Sequence, residues 1–308
     1  MKIGEGLSTG RFSLSFEVFP PVREGNLGNL YKVITELSEY EPHFISVTYG
    51  AGGRTRDKTI EIAHKVKEDY GQNVLAHLTC VGSTRDDIAA ILDELKDRGI
   101  ENILALRGDP PEGEETFTPV RDGFRYANEL VEFIVSRHRF SIGVAGYPQK
   151  HPEAPSFEAD LLNLKRKVDA GADFVITQLF FENDEFYRFR DAAIKTGVRV
   201  PILPGIFPLM NYKQFLRIID LCRPTIPSRL GEKVERLRDK PEEIEKYGVE
   251  FALEQSVDLM ENEVAGLHIY TMNRSWPVKV MIDEGLRGLL PADRLRTPSG
   301  GEAKTTKT

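Results

Sequence analysis

Seven polar side chains stand at or just past the ends of short apolar runs: Glu17, Thr48, His77, Arg107, Asp109, Tyr147 and Gln178. Two are carboxylates, able to move a proton or to favour positive charge on a ligand. A buried carboxylate is costly unless it is paired or has a task. Glu17, in "SLSFEVFPP", lies near the end of its run. Strand side chains alternate, so Leu14, Phe16 and Val18 share one face. Ser13, Ser15, Glu17 and Phe19 share the other, less apolar face. Each of the seven, taken alone, reads equally well as a core or turn residue. A lone strand histidine is usually a satisfied core group, and an Asp before Pro-Pro usually marks a turn. Polar groups converging at the same end of most strands are harder to explain as core.

Three stretches add ligand chemistry. "YGAGG" (residues 49–53) and "RGDPP" (residues 107–111) leave backbone with little side-chain cover, which lets a flat ligand lie close. A plain turn fits each equally well. "LLNLKRK" sets Asn163, Arg166 and Lys167 at same-face spacings, read here as near the start of a helix. Two cations and an amide there suit a phosphate or pyrophosphate, and a solvated basic face is the alternative. Asp160, one turn earlier, is placed for ribose hydroxyls. Other chemistries are disfavoured. No lysine lies within the strand runs, which argues against a Schiff-base aldolase. His77, His151 and His268 are isolated and lack ligand spacing, so no metal site is expected. Cys80 and Cys222 make neither a disulfide framework nor a zinc motif, and no P-loop occurs.

These residues need elements to position them. Eight apolar runs recur: "SLSFEVF", "FISVTY", "VLAHLTC", "NILALRGD", "SIGVAGY", "FVITQLFF", "PILPGIF" and "GLHIYTMN". Most start a strand plus a returning helix apart. Between them lie helical patterns. One carries Leu27, Leu30, Val33, Ile34 and Leu37 on a single stripe. Another opens on a cap-like Thr84 and ends at Gly99, and a third opens on Ser156 and stops near Gly171. The long stretch from Asn211 to Gly266 has room for an extra helix or two, and its charged middle reads as a solvated helix face. Eight strands alternating with helices form an α/β fold and close a (β/α)8 barrel, with a helical insertion between strands seven and eight. An open doubly wound sheet is the alternative, but its GxGxxG turn is absent. In a barrel the chemistry sits at the C-terminal ends of the strands.

Composition sets the outer bounds. The 308 residues are expected to form one domain over residues 1–291, followed by a small, polar tail (292–308) of disordered composition. A net charge of −7 argues against a nucleic-acid groove. The N-terminus lacks the apolar core of a signal peptide, and no run is long enough to span a membrane. A reducing, cytoplasmic setting fits.

The stretches "FEVFPP", "SVTYGAGG", "LAHLTC", "LRGDPP", "YPQKHPEA", "DLLNLKRKVDAGADFVITQLFF", "PILPGIFP", "NYKQ" and "GLHIYTMNR" run in order from about residue 12 to 275. In this ordered set the chain resembles the methylenetetrahydrofolate reductases, both the flavin-dependent bacterial single-domain type and the catalytic domain of longer homologues. The resemblance implies a (β/α)8 barrel binding FAD. It implies ping-pong hydride transfer from NADH or NADPH, through one flavin face, to 5,10-methylenetetrahydrofolate. The product, 5-methyltetrahydrofolate, would feed methionine synthesis and one-carbon metabolism. It also implies a homo-oligomer.

Carried over by residue, Glu17 matches the general acid that opens the methylene bridge, its burial favouring the protonated form. Asp109 matches the aspartate near the flavin and the pterin. Glu17, Asp109, Gln178, Gln214 and Arg274 match folate contacts. Thr48, His77, Arg107, Gly108, Asp109, Ala127, Tyr147, His151, Asp160, Asn163, Arg166 and Lys167 match flavin contacts. One departure is Ile218, where well-known bacterial members place a phenylalanine that stacks on the nicotinamide or substrate; an aliphatic residue packs but does not stack. Relatives in some anaerobes take electrons through a partner subunit, and such a donor stays open here. A C-terminal regulatory domain is not expected from the residues, nor is the allosteric inhibition it gives longer homologues. Two other classes fit the residues by themselves: a different flavin- or metal-using barrel enzyme, and a non-catalytic flavoprotein.

Overall fold

The computed structural model describes residues 1–21, 26–49, 56–110, 113–114 and 116–290. Its strands are β1 (Ser13–Val18), β2 (Phe44–Val47), β3 (Val74–Thr79), β4 (Asn102–Leu106), β5 (Ser141–Gly146), β6 (Phe174–Thr177), β7 (Ile202–Leu203), β8 (Gly205–Ile206) and β9 (Gly266–Tyr270). Its helices are α1 (Ile3–Leu7), α2 (Leu27–Ser38), α3 (Arg56–Tyr70), α4 (Arg85–Asp97), α5 (Ala127–Arg137), α6 (Phe157–Asp169), α7 (Asn183–Thr196), α8 (Tyr212–Cys222), α9 (Ser228–Arg236), α10 (Pro241–Glu261) and α11 (Trp276–Met281). The glycines of "YGAGG", Pro111 and the tail lie outside the described residues.

Every strand pairing is parallel, in the order β7-β6-β5-β4-β3-β2-β1-β9-β8. The two ends of that order belong to one run, "PILPGIF". Ile202–Leu203 pairs with β6 and Gly205–Ile206 pairs with β9, so the sheet closes on itself as a barrel. The seventh expected strand is therefore two short pieces. Pro204 divides them because it has no N–H for the ladder. Its carbonyl still accepts from the His268 N–H at 3.0 Å, which keeps the seam bonded.

The local signals explain the helix ends. Thr84 caps α4 in a capping box with Asp87, and Ser156 Oγ caps α6 by accepting from the Ala159 N–H at 3.1 Å. Gly197, left-handed at φ 103°, ends α7. Alternation divides each strand between two cores. Leu14, Phe16 and Val18, with Ile45, Val47 and Leu78, face the helix ring. Phe44, Leu75, Leu104, Phe174, Ile176 and Leu203 fill the lower barrel. Helix α1 closes that floor, burying Ile3 and Leu7 and donating backbone N–H groups to Asn102 and Ser141. A helix this short leaves no periodic trace in the sequence. The long gap holds α8, α9 and α10, and with the loops after β6 and β8 they bury a separate cluster that includes Leu179, Phe207, Phe215, Leu230 and Phe251. No described helix is long and apolar enough to cross a membrane.

Candidate active site

Glu17 is the last inward-facing residue of β1 and is only 8% exposed. Three groups approach its Oε2. Ser46 Oγ donates from β2 at 3.4 Å, His77 Nε2 lies at 3.4 Å on β3, and His268 Nε2 lies at 3.5 Å on β9. No described residue bonds to Oε1. The backbone around the carboxylate is held as firmly. Thr271 Oγ1 donates to the Glu17 carbonyl at 2.6 Å, and the Asn273 amide brackets Phe19, accepting from its N–H and donating to its carbonyl. Met272 and Asn273 both take left-handed backbone to do this, a conformation that costs non-glycine residues energy and clusters at functional sites. Burial pushes the His77 imidazole down to about 4, so it is neutral at pH 7.

Beside Glu17 the barrel mouth offers bare polar atoms. His77 Nε2 and Thr79 Oγ1 are buried with no hydrogen-bond partner among the described residues; His77 Nε2 is near Glu17 but not aligned with it. Unpaired buried polar groups are costly and call for a partner. Gly108 follows β4 at φ 88°, and a Cβ there would press on Val81 and Thr79. That turn therefore needs glycine, for its left-handed backbone and its close packing on those two side chains. The bare polar atoms of His77 and Thr79 suit the edge of a planar heteroaromatic group such as an isoalloxazine.

The remaining expected residues surround the mouth. Asp109 is exposed and makes no hydrogen bond or ion pair among the described residues; its charge reaches Arg107, Tyr147 and Cys222. Burial, with Asp109 and Asp160 nearby, raises the Tyr147 phenol. Tyr147 meets His151 edge to face, and Asp160 accepts from the His151 N–H at 2.9 Å. Thr48 follows β2 and Ala127 opens α5. Gln178 follows β6 and turns back on the Leu179 N–H, and Gln214 on α8 accepts from the Met210 N–H. Two cations already hold carboxylates. Arg107 forks Glu153 at 2.6 and 2.7 Å, and Arg274 holds Glu245 at 2.9 Å.

One placement is corrected. Asn163 lies midway along α6, and Arg166 and Lys167 lie in its last turn. At 3.6 residues per turn they are about two to three turns past the Ser156 cap. The start of α6 carries Glu158 and Asp160 instead, so the helix dipole does not support an anion at these cations. Their charge and spacing remain. Arg166 Nη1 bonds Asn163 Oδ1 at 2.9 Å and lines a groove of about 500 Å³ between α5 and α6. Lys167 turns the other way, to the Ala145 carbonyl on β5 at 2.5 Å, and burial pushes its ammonium down to about 8.

A family model described as methylenetetrahydrofolate reductase matches residues 2–284. The chain belongs to that family. Methylenetetrahydrofolate reductase (NADH) 1 of Arabidopsis thaliana is 40% identical over 283 residues, covering 88% of this chain and 48% of that protein. The chain thus spans about half the length of its plant relatives. The 5,10-methylenetetrahydrofolate reductase of Escherichia coli is 40% identical over 266 residues, covering 86% of this chain and 88% of that protein. A Clostridium thermocellum protein, solved with two copies of 5-methyl-5,6,7,8-tetrahydrofolic acid, shares the fold at a TM-score of 0.62 and 12% identity, over 95% of this chain and 99% of that one.

Within this reductase family member, Ile218 is buried in the α8–α10 cluster against which Tyr270 and Met272 also pack. Sequence reading missed Ser15, Ser46, Thr79 and His268 as site residues. It treated the histidines as isolated because it compared their positions along the chain. In a closed barrel the first and last strands are neighbours. Here Ser15 pairs in register with His268, so inward parity on β1 and β9 was the signal that would have found it.

Proposed function

We propose that this chain binds FAD in the barrel mouth and reduces 5,10-methylenetetrahydrofolate to 5-methyltetrahydrofolate. The observation that carries the reading is Glu17: a buried carboxyl at the strand ends of a reductase-family barrel, held through Oε2 with no described residue bonded to Oε1. Bound flavin supplies the hydride, taken from a reduced nicotinamide and passed to the folate. NADH is the donor favoured by the names of the plant relatives. Donor and folate would then take turns at the site, a ping-pong cycle.

The chain's own residues supply the rest. Glu17 gives a proton to a folate amine, the methylene bridge opens to an iminium, and the iminium carbon takes the hydride. Asp109, which has no partner among the described residues, favours that cation by charge. Thr48, His77, Arg107, Gly108, Ala127, Tyr147, His151 and Asp160 would hold the flavin, with Asn163, Arg166 and Lys167 serving its phosphates. Gln178 and Gln214 take the pterin side, and Arg274 exchanges Glu245 for a substrate carboxylate. The same reading gives a cytoplasmic homo-oligomer supplying methyl groups for methionine synthesis. Glu17→Gln tests it. The variant is expected to keep flavin and its reduction by NADH, but to reoxidise with the folate about 10²- to 10⁴-fold more slowly. Folate turnover at the wild-type rate would remove Glu17 from the chemistry.

A further inference from the structure

The loop of residues 147–156, between β5 and α6, is folded around one of its own cations. Lys150 Nζ donates to three carbonyls of that loop: Ala154 at 2.6 Å, His151 at 3.2 Å and Pro152 at 3.5 Å. An ammonium has three hydrogens, so this set matches its donors one for one. Lys150 makes no ion pair with a carboxylate among the described residues; carbonyl dipoles take up its charge. To turn its side chain over the residues that follow, Lys150 takes φ 111°, a region that a residue with a Cβ rarely occupies. Such strain persists only where the surroundings hold it, and it clusters at functional sites. Backbone bonds tighten the same turn. The Lys150 N–H meets the Tyr147 carbonyl at 3.2 Å, and the Ala154 N–H meets the His151 carbonyl at 2.9 Å.

The loop presents two side chains that its shape sets. Glu153 forks Arg107, just past β4, at 2.6 and 2.7 Å. His151 lies edge to face with Tyr147, ring centroids 4.7 Å apart, and its Nδ1 accepts from the Glu153 N–H at 3.1 Å. Burial, with the Arg107 charge, lowers the His151 imidazole, so the ring is neutral at pH 7. A neutral ring has one N–H, and here it is on Nε2, where no described residue accepts it. We propose that Lys150 is the built-in cation of this loop and a positioning residue for the flavin: by gathering the carbonyls of His151, Pro152 and Ala154 it sets the His151 donor and the Glu153–Arg107 fork before the ligand arrives. A loop ordered beforehand spares binding the cost of ordering it. The inference rests on the reading that this mouth binds FAD.

Two variants separate charge from backbone. Lys150→Gly suits the left-handed φ and leaves the carbonyls without their cation. Lys150→Met keeps the side-chain bulk and removes the charge. Fluorescence titration of apoprotein with FAD is expected to show about tenfold weaker binding in both, the scale of a lost charged hydrogen bond. Ammonium ion should restore the affinity of Lys150→Gly, because it can sit among the same carbonyls. Tetramethylammonium, which has no N–H, should not, and Lys150→Met should respond to neither. Hydrogen exchange of the apoprotein, read on the peptide that carries His151, Glu153 and Ala154, should quicken in both variants and slow again in Lys150→Gly with ammonium. Wild-type affinity in both variants, or a loss in Lys150→Gly that ammonium leaves unrestored, would overturn the proposal and leave the flavin reading standing. Wild-type apoprotein that takes up no FAD would overturn the functional reading, and the flavin role of Lys150 with it.

Discussion

Lys167 shows how far the barrel wall alters an ordinary side chain. Burial lowers its ammonium from 10.5 to about 8, against the pull of Asp160. Between those values the folded chain holds fewer protons than the unfolded one, so this group makes stability rise with pH there, and its burial cost is full below about 8. A phosphate beside the ammonium acts in the opposite sense, because it favours the charged form. Affinity for FAD is therefore expected to weaken above about pH 8, by up to about tenfold per unit. Lys167→Met should remove that slope in a fluorescence titration of apoprotein; an unchanged slope would place the phosphates elsewhere. Glu17 and His77 were legible at this scale because residue type and strand parity mark them, whereas the place of Lys167 in the last turn of α6 was not. His268 was not, because what makes it significant is the Ser15 register across the barrel seam.

The elements were legible wherever period and caps agree. The stripe Leu30, Val33, Ile34 and Leu37 forms the buried face of α2, and Thr84 caps α4 as its residue type predicts. Two features escaped. Helix α1 is too short to show a period, and the break at Pro204 follows from which neighbour each half-strand meets. The insertion has its own consequence for function. Gly248 on α10 lies against the Leu209 backbone, where a Cβ would run into the Leu209 carbonyl. Leu209 leads into Met210, whose N–H holds Gln214 at 2.9 Å. Gly248→Ala is expected to cost about 1–3 kcal/mol in denaturant unfolding. It should also raise the KM for the folate while flavin content stays normal. Unchanged stability would mean that α10 has room to move away, and an unchanged KM would separate Gln214 from the substrate.

At the scale of the whole molecule, a closed parallel barrel gathers residues that are far apart in the chain. Glu17 and His268 are 251 positions apart in the sequence, yet their side chains meet because β1 and β9 are adjacent. The lower barrel is filled with Phe44, Leu104 and Phe174 and floored by α1, so the polar groups have one outlet, the strand C-terminal ends. The alternation of runs and helices made that architecture readable. The partners of Arg107 and Arg274 were not, because Glu153 and Glu245 come from loop and insertion rather than from a strand. The central claim is that one chain carries hydride from a nicotinamide to a folate on a flavin in this mouth. Anaerobic stopped-flow of the purified holoenzyme, following the visible flavin band, tests it most directly. The account predicts that NADH bleaches the flavin and that methylenetetrahydrofolate then restores it, with no other protein added. A protein that takes up no flavin on reconstitution, or a reduced flavin that the folate leaves bleached, would contradict it.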